Sequence, residues 1–249
     1  MDDHFYLTLS SNGQSEIKLS ERIRLDDDFE VGLSEIGYPH NWYNVDNEDE
    51  KYWINVHELD DEAVIIHTVY VKSGYYKDGD AFASSLTQQV TRAFADVPKV
   101  DIKFTFVKHI DRIRMRINQS LKKTVAPSTE LLEFLGFGPK LIFQPAITRT
   151  GSRPFDVKRG FRLLYVYCDV GAHSIVGDTK SPLLRVVNIE GRHGEFVRNV
   201  FAQPHYVPVG RREFGSVTIT INNELGKPIT LRSGQFVITL HFRRRRKQE

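Results

Sequence analysis

Between Phe161 and Val170 the chain is almost continuously apolar and rich in β-branched and aromatic side chains. Such a run is about half the roughly 18 to 20 residues that a bilayer span requires. Gly160 and Gly171 bound it, so it reads as a strand buried on both faces. Leu183 to Ile189 repeats the composition after a polar connection carrying Gly177-Asp178. Two such strands need a second sheet or flanking elements over them, and the rest of the chain must supply that cover.

Upstream, Phe5 to Ser10 and Glu16 to Ser20 flank a Ser-Asn-Gly turn signal, the pattern of two short strands with a tight connection. Phe29, Val31 and Leu33 alternate with polar or small residues, then the apolar phase jumps to Ile36 and Tyr38. The jump predicts a β-bulge near Ser34-Glu35, in a strand that Pro39 closes. Lys51 to His57 and Ala63 to Lys72 read as further strands. After Asp80, Phe82, Leu86, Val90 and Phe94 recur every four residues, a helix capped by Asp80 and ended before Pro98.

Ile102, Phe104 and Phe106, then Ile113, Met115 and Ile117, form a predicted hairpin whose second strand turns Arg112, Arg114 and Arg116 to the opposite face. Ser128 opens a short helix from Thr129 to Leu135, and Leu141 to Gly160, with Pro145, Gly151 and Pro154, reads as a surface excursion. Glu195 to Phe201 adds a short strand, Pro204 to Gly210 is extended, and Val217 to Ile221 and Phe236 to Phe242 alternate cleanly. The pattern is mainly β, a β-sandwich with an insertion. Residues 1–71 and 141–249 supply the sandwich strands and residues 72–140 a small inserted α+β module.

The chemistry of most enzymes has no foothold here. Gly177-Asp-Thr-Lys-Ser has one glycine where a phosphate-binding loop needs two, and Gly136-Phe-Gly138 follows a helix instead of opening one. Neither supports a nucleotide or any other cofactor. The nine histidines are scattered without metal-ligand spacing, and His173 lies near Cys168 and Asp178 only in sequence. Asp26-Asp-Asp28 reads as a solvated turn, because consecutive side chains diverge. Cys168 is the single cysteine, which excludes an internal disulfide and fits synthesis in a reducing compartment of the host cell, cytoplasm or nucleus. Met1-Asp-Asp-His resembles no secretory leader, and no membrane insertion is expected. We therefore expect no catalytic residues, no bound metal and no cofactor.

Charge is distributed unevenly. Residues 1–62 hold 17 acidic against 4 basic residues, and residues 63–249 hold 15 against 30. That polarity favours head-to-tail contact between copies, weakened by salt. Arg112, Arg114 and Arg116 on one strand face, and the tail Arg243, Arg244, Arg245, Arg246 and Lys247, are the candidate contacts for an anionic partner such as nucleic acid.

Several segments carry a family resemblance. Phe5 to Asn12, Phe29 to Val45, Tyr165 to Asp169, Ile175 to Asp178 and Pro182 to Val187 resemble the minor capsid, or penton, proteins of Polinton (Maverick) elements, related adintoviruses and virophages. Leu135-Gly-Phe and the closing Ile238 to Arg243 resemble the same family, in the same order along most of the chain. The resemblance implies a single jelly roll forming homopentamers at the fivefold vertices of an icosahedral capsid, beside a double jelly-roll major capsid protein. It implies a structural protein of the virion, with no catalysis. A carbohydrate- or receptor-binding jelly roll is the alternative; it would need an aromatic-lined pocket, for which Trp42, Tyr43, Trp53, Tyr75 and Tyr76 are the candidates.

Overall fold

The computed structural model describes residues 3–26, 28–59, 64–97, 100–119, 123–139 and 147–245. In chain order they form β1 (His4–Ser11), β2 (Gln14–Arg24), β3 (Phe29–Pro39), β4 (Trp53–Leu59), β5 (Val64–Tyr70), α1 (Gly79–Ala93), β6 (Val100–Val107), β7 (Arg112–Gln119), β8 (Lys123–Pro127), α2 (Thr129–Phe134) and β9 (Ile147–Thr150). There follow β10 (Leu163–Cys168), β11 (Ser174–Val176), β12 (Thr179–Ser181), β13 (Leu183–Asn188), β14 (Phe196–Val200), β15 (Tyr206–Pro208), β16 (Glu213–Asn222) and β17 (Phe236–Arg244). Two compact units result, one from residues 1–42 with 160–249 and the other from residues 43–159.

The first unit is a sandwich of two antiparallel sheets. One is ordered β1-β17-β3-β14, with β15 also paired to β3, and the other β13-β10-β16-β2. Counted along the chain, the eight principal strands of this unit pair first with last, second with seventh, third with sixth and fourth with fifth. The unit is thus one long hairpin, four strand pairs deep, rolled so that β17 meets β3 and β16 meets β10. This winding is a jelly roll. Residues 43–159 are inserted between its third and fourth strands.

Alternation along the strands builds the core. Val217, Ile219 and Ile221 of β16 and Phe236, Ile238, Leu240 and Phe242 of β17 point inward, against Leu33, Ile36 and Tyr38 of β3. The β10 segment, expected to be covered on both faces, is covered on one: Leu164, Val166 and Cys168 are buried, while Leu163, Tyr165 and Tyr167 are half-buried. The outward positions carry large, partly apolar side chains, so the period of two is hidden in the composition.

The bulge predicted near Ser34-Glu35 is present. Thr239 pairs with Glu35 and Leu240 with Leu33, which leaves Ser34 as the extra residue. The bulge divides β3 into two halves that different partners complete, β14 along Glu35–Pro39 and β15 along Glu30–Gly32. At the β1–β2 turn, Gly13 has φ +111°, and a Cβ there would stand 2.5 Å from the Ile229 carbonyl oxygen. Only glycine fits.

The second unit has its own core, built from a β5-β4-β8 sheet, a β6-β7-β9 sheet and the two helices. Its limits differ from the expected module at 72–140: β4 and β5 belong here, because β4 pairs with β5 on one side and β8 on the other. The excursion expected over 141–160 contains β9, which adds a third strand to the predicted hairpin; residues 141–146 lie outside the described residues. Helix α1 buries Phe82, Ala83, Leu86 and Val90, as the four-residue spacing requires. Its cap is Asp78, two residues before the expected Asp80, with the Asp78 carboxylate accepting from the Ala81 N–H at 2.9 Å. Ser128 caps α2 as expected, accepting from the Leu131 N–H at 3.2 Å. The Thr87 hydroxyl accepts from the Phe104 N–H at 2.9 Å, so α1 occupies the open edge of β6.

Candidate functional site

The arginines of the predicted hairpin lie on β7 in the second unit, and the described part of the tail lies on and just after β17 in the first. On β7, Arg114 and Arg116 are exposed on the outer face, with Lys103 of β6 directly across from Arg116. Asp101 relieves part of this charge by an ion pair to Arg116 at 3.1 Å, and Arg114 donates to the Thr150 hydroxyl at 3.3 Å. Arg112 is half-buried, with its Nε lacking a hydrogen-bond partner among the described residues. Like charges face each other across this hairpin, an arrangement that an external anion would relieve.

The tail residues are more occupied than the sequence foretells. The alternating strand, expected to end at Phe242, continues to Arg244. Arg243 Nε donates to Glu30 at 2.5 Å, and its guanidinium lies 3.6 Å from the centroid of the Tyr206 ring. Arg244 pairs with Asp3 at 3.3 Å, and the Arg245 N–H donates to the Asp28 carbonyl at 2.8 Å. Arg246 and Lys247 lie outside the described residues. Removal of residues 246–249 is expected to leave the melting temperature unchanged within a degree or two, whereas truncation after Phe242 lowers it, because it also deletes two ladder residues and the Arg243–Glu30 pair. Thermal melts of the two truncations test this; equal melting temperatures would mean that the β17 extension contributes nothing.

Folding also cancels the uneven charge seen along the sequence. Glu30 meets Arg243, Glu35 meets Arg198, Asp3 meets Arg244, Asp28 meets Arg212, and Glu213 meets Arg22 and Arg24. The Arg198 guanidinium, bonded to both carboxylate oxygens of Glu35, holds that carboxyl below its ordinary range. Rolling the first strand onto the last brings the acidic beginning of the chain beside its basic end. Each unit consequently holds 16 acidic and 17 basic residues.

What remains exposed is apolar and aromatic. On the edge strand β14, Phe196 and Val200 are 62% and 64% exposed, and on the opposite edge strand, β1, Tyr6 is 59% exposed. In the second unit the edge strand β5 exposes Val64, Ile65, Ile66 and Tyr70. Ile175, on the small β11–β12 ribbon, is 77% exposed. Sequence reasoning missed all of these, since an apolar residue on a strand is read as core unless its partner strands are known.

The remaining sequence candidates are dispersed. Burial pushes the Cys168 thiol up to about 12, so at neutral pH it is an inert core group. His173 and Asp178 are both exposed, whereas Cys168 is buried. Among the described residues no group of three or more His, Cys, Asp or Glu is placed to hold a metal ion. No helix among them is long and apolar enough to cross a membrane. Trp42 is packed into the core of the first unit and Tyr76 into that of the second, so neither offers a ring face to a ligand.

A crystal structure of the mavirus penton protein is similar to this chain. The likeness covers 97% of this chain and 99% of that one, at 10% sequence identity and a TM-score of 0.48. No protein-family model and no curated protein matches the sequence.

Proposed function

We propose that this chain is a structural minor capsid (penton) protein that forms homopentamers at the fivefold vertices of an icosahedral capsid, beside a double jelly-roll major capsid protein. The observation that carries this reading is a jelly roll whose two outermost strands in one sheet, β1 and β14, both remain open and both expose large apolar side chains. An open edge of that kind is a template for contact with another chain. Different surfaces at the two edges favour a head-to-tail contact, which closes into a ring when the rotation between subunits permits. Five of the seven segments that resemble pentons in sequence fall on β1, β3, β10, β13 and β17, the framework of the roll; Ile175 to Asp178 lies at the β11–β12 ribbon and Leu135-Gly-Phe follows α2 in the second unit. The role is architectural, without catalysis or a cofactor, and its place is the virion capsid.

Native mass measurement tests this directly. Five copies of the 28.7 kDa chain are expected in one complex. A strict monomer at high protein concentration sinks the proposal. Because the acidic and basic residues of the sandwich already meet within one subunit, the assembly is expected to survive transfer from low to high salt, contrary to what the uneven charge along the sequence implies.

The outer face of β6 and β7, with Lys103, Arg114 and Arg116, is the better candidate for an anionic partner. The tail residues Arg243 and Arg244 both have carboxylate partners, whereas on β6 and β7 Asp101 meets only Arg116, and Lys103 and Arg114 add to the charge of that face. Salt-dependent retention of the protein on single-stranded nucleic acid, lost in an Arg114→Ser, Arg116→Ser double variant, is the expected result. Retention unchanged in that variant would remove the basis for this contact.

A further inference from the structure

The outer face of the β1-β17-β3 sheet, beside β15, carries a cluster centred on His241, of which the proposed capsid contact uses only the exposed Tyr6. The rungs between β1 and β17 place His4 opposite Arg243, Tyr6 opposite His241 and Thr8 opposite Thr239. The imidazole of His241 stacks on Tyr6, with centroids 4.4 Å apart and planes within 12°. His4 meets it edge-on at 5.6 Å, and Tyr206 of β15 does so at 5.8 Å. His241 Nδ1 lies 2.7 Å from the Tyr206 hydroxyl oxygen, while its Nε2 is buried without a partner among the described residues. One imidazole therefore ties an edge strand and a three-residue strand to the centre of the sheet.

We propose that this cluster is an acid-sensitive latch, in which a neutral His241 holds β1 and β15 on the sheet and its protonation releases them. A neutral imidazole needs only one N–H, and the Tyr206 hydroxyl satisfies Nδ1 in either sense. With the neutral proton on Nδ1, donated to Tyr206, Nε2 carries only a lone pair; protonation adds an N–H there, where no acceptor is placed among the described residues.

Charge acts in the same direction. The charged and titratable groups facing His241 are His4 and Tyr6 from β1, Arg243 on β17 itself, Glu30 from β3 and Tyr206 from β15; Asp3 is committed to Arg244 one rung on. Glu30 is the single carboxylate among those groups and already accepts from Arg243. An imidazolium here would join Arg243, and a charged His4, as like charges on adjacent rungs. Stacking on Tyr6 favours the cation, but that ring is largely exposed, where such attraction is weak.

Burial, then His4 and Arg243, hold the His241 pKa below the ordinary histidine value of 6.5. The sign follows by linkage. Above that value neither the folded nor the unfolded state is protonated, and stability is unaffected; as the pH falls through it, the unfolded or opened state takes up a proton that the closed state refuses. The closed face is therefore progressively lost on acidification below about 6.5.

Hydrogen exchange of the full-length protein at pH 8 and pH 5, corrected for intrinsic rates, reads the latch. Amides of His4–Ser11, Tyr206 and Val207 are expected to exchange several-fold faster in acid, with Leu163–Cys168 and Glu213–Asn222 unchanged. In His241→Gln, which keeps an uncharged acceptor for Tyr206, the acid effect should vanish. Equal exchange of the wild type at both pH values, or the same acid effect in His241→Gln, overturns the proposal. Titration of the His241 ring by NMR gives a measure independent of the variant, and a midpoint at or above 6.5 overturns it as well.

Discussion

Replacing Phe242 by alanine is expected to destabilise the sandwich by about 3–5 kcal/mol, the usual cost of emptying a buried phenylalanine site. Phe242 is fully buried and sits near the end of the last strand, where it stacks on Phe5 of the first at 4.7 Å and on Phe214 at 5.9 Å. Its removal therefore loosens the pairing that closes the roll, at a site framed by sheet on which few atoms can move inward to fill the space. A domain of this kind has only about 5–15 kcal/mol in hand. The sequence offers a convenient reporter: of the two tryptophans, Trp42 is buried in the core of the first unit and Trp53 begins β4 in the second. In a Trp53→Phe background, the urea midpoint of the Trp42 signal should fall sharply in Phe242→Ala. A midpoint shift worth less than about 1 kcal/mol would mean that the site collapses without loss.

Asn47→Ala is expected to cost about 2–4 kcal/mol in the second unit, for a polar reason instead of an apolar one. The Asn47 side chain donates to the carbonyls of Tyr52 at 2.9 Å and Val71 at 2.8 Å, and accepts from the Tyr52 N–H at 2.7 Å. Alanine leaves the Tyr52 N–H and the Val71 carbonyl without those partners in a half-buried to buried setting, while the Tyr52 carbonyl keeps its bond from the Val71 N–H. Faster amide exchange at Tyr52 and along β4 and β5, with the sandwich strands unaffected, is the expected signature. Uniform protection across β4 and β5 in the variant would show that water replaces the amide at no cost.

These two sites illustrate what a sequence discloses. Phe242 lies in a strand with strict alternation, so its inward direction was readable, as were the bulge at Ser34 from its phase jump and α1 from its four-residue stripe. Asn47 has no such signal, because its partners are a strand start and a strand end brought together by the fold. The Asp78 cap was misassigned to Asp80 since both are aspartates just ahead of the apolar stripe. Strand β9 was missed because Ile147–Thr150 is only four residues long and three of them are exposed. The limits of the inserted unit were missed for a deeper reason. The β-branched and aromatic composition of β4 and β5 says that these segments are strands, but the identity of their partners is a property of the whole chain. The same holds for the charges: the acidic start and basic end look like an intermolecular attraction until the roll lays one against the other.

The nested pairing of the roll also sets an order of events for a newly made chain. β1 pairs with β17, more than 220 residues further on, so its hydrogen-bonding partner does not exist until those residues have been made. At about 5–20 residues per second, that interval is on the order of 10 to 50 s. Residues 43–159, whose strands and helices all find their partners among themselves, emerge within that interval and can fold while it lasts. Strand β1, with Phe5, Leu7 and Leu9 still uncovered, is the segment that waits. Capture of that segment on the ribosome, by a chaperone or by a neighbouring nascent chain, is the hazard built into this topology, because the Gly13 turn passes the chain to the opposite sheet and leaves β1 unpaired until β17 arrives.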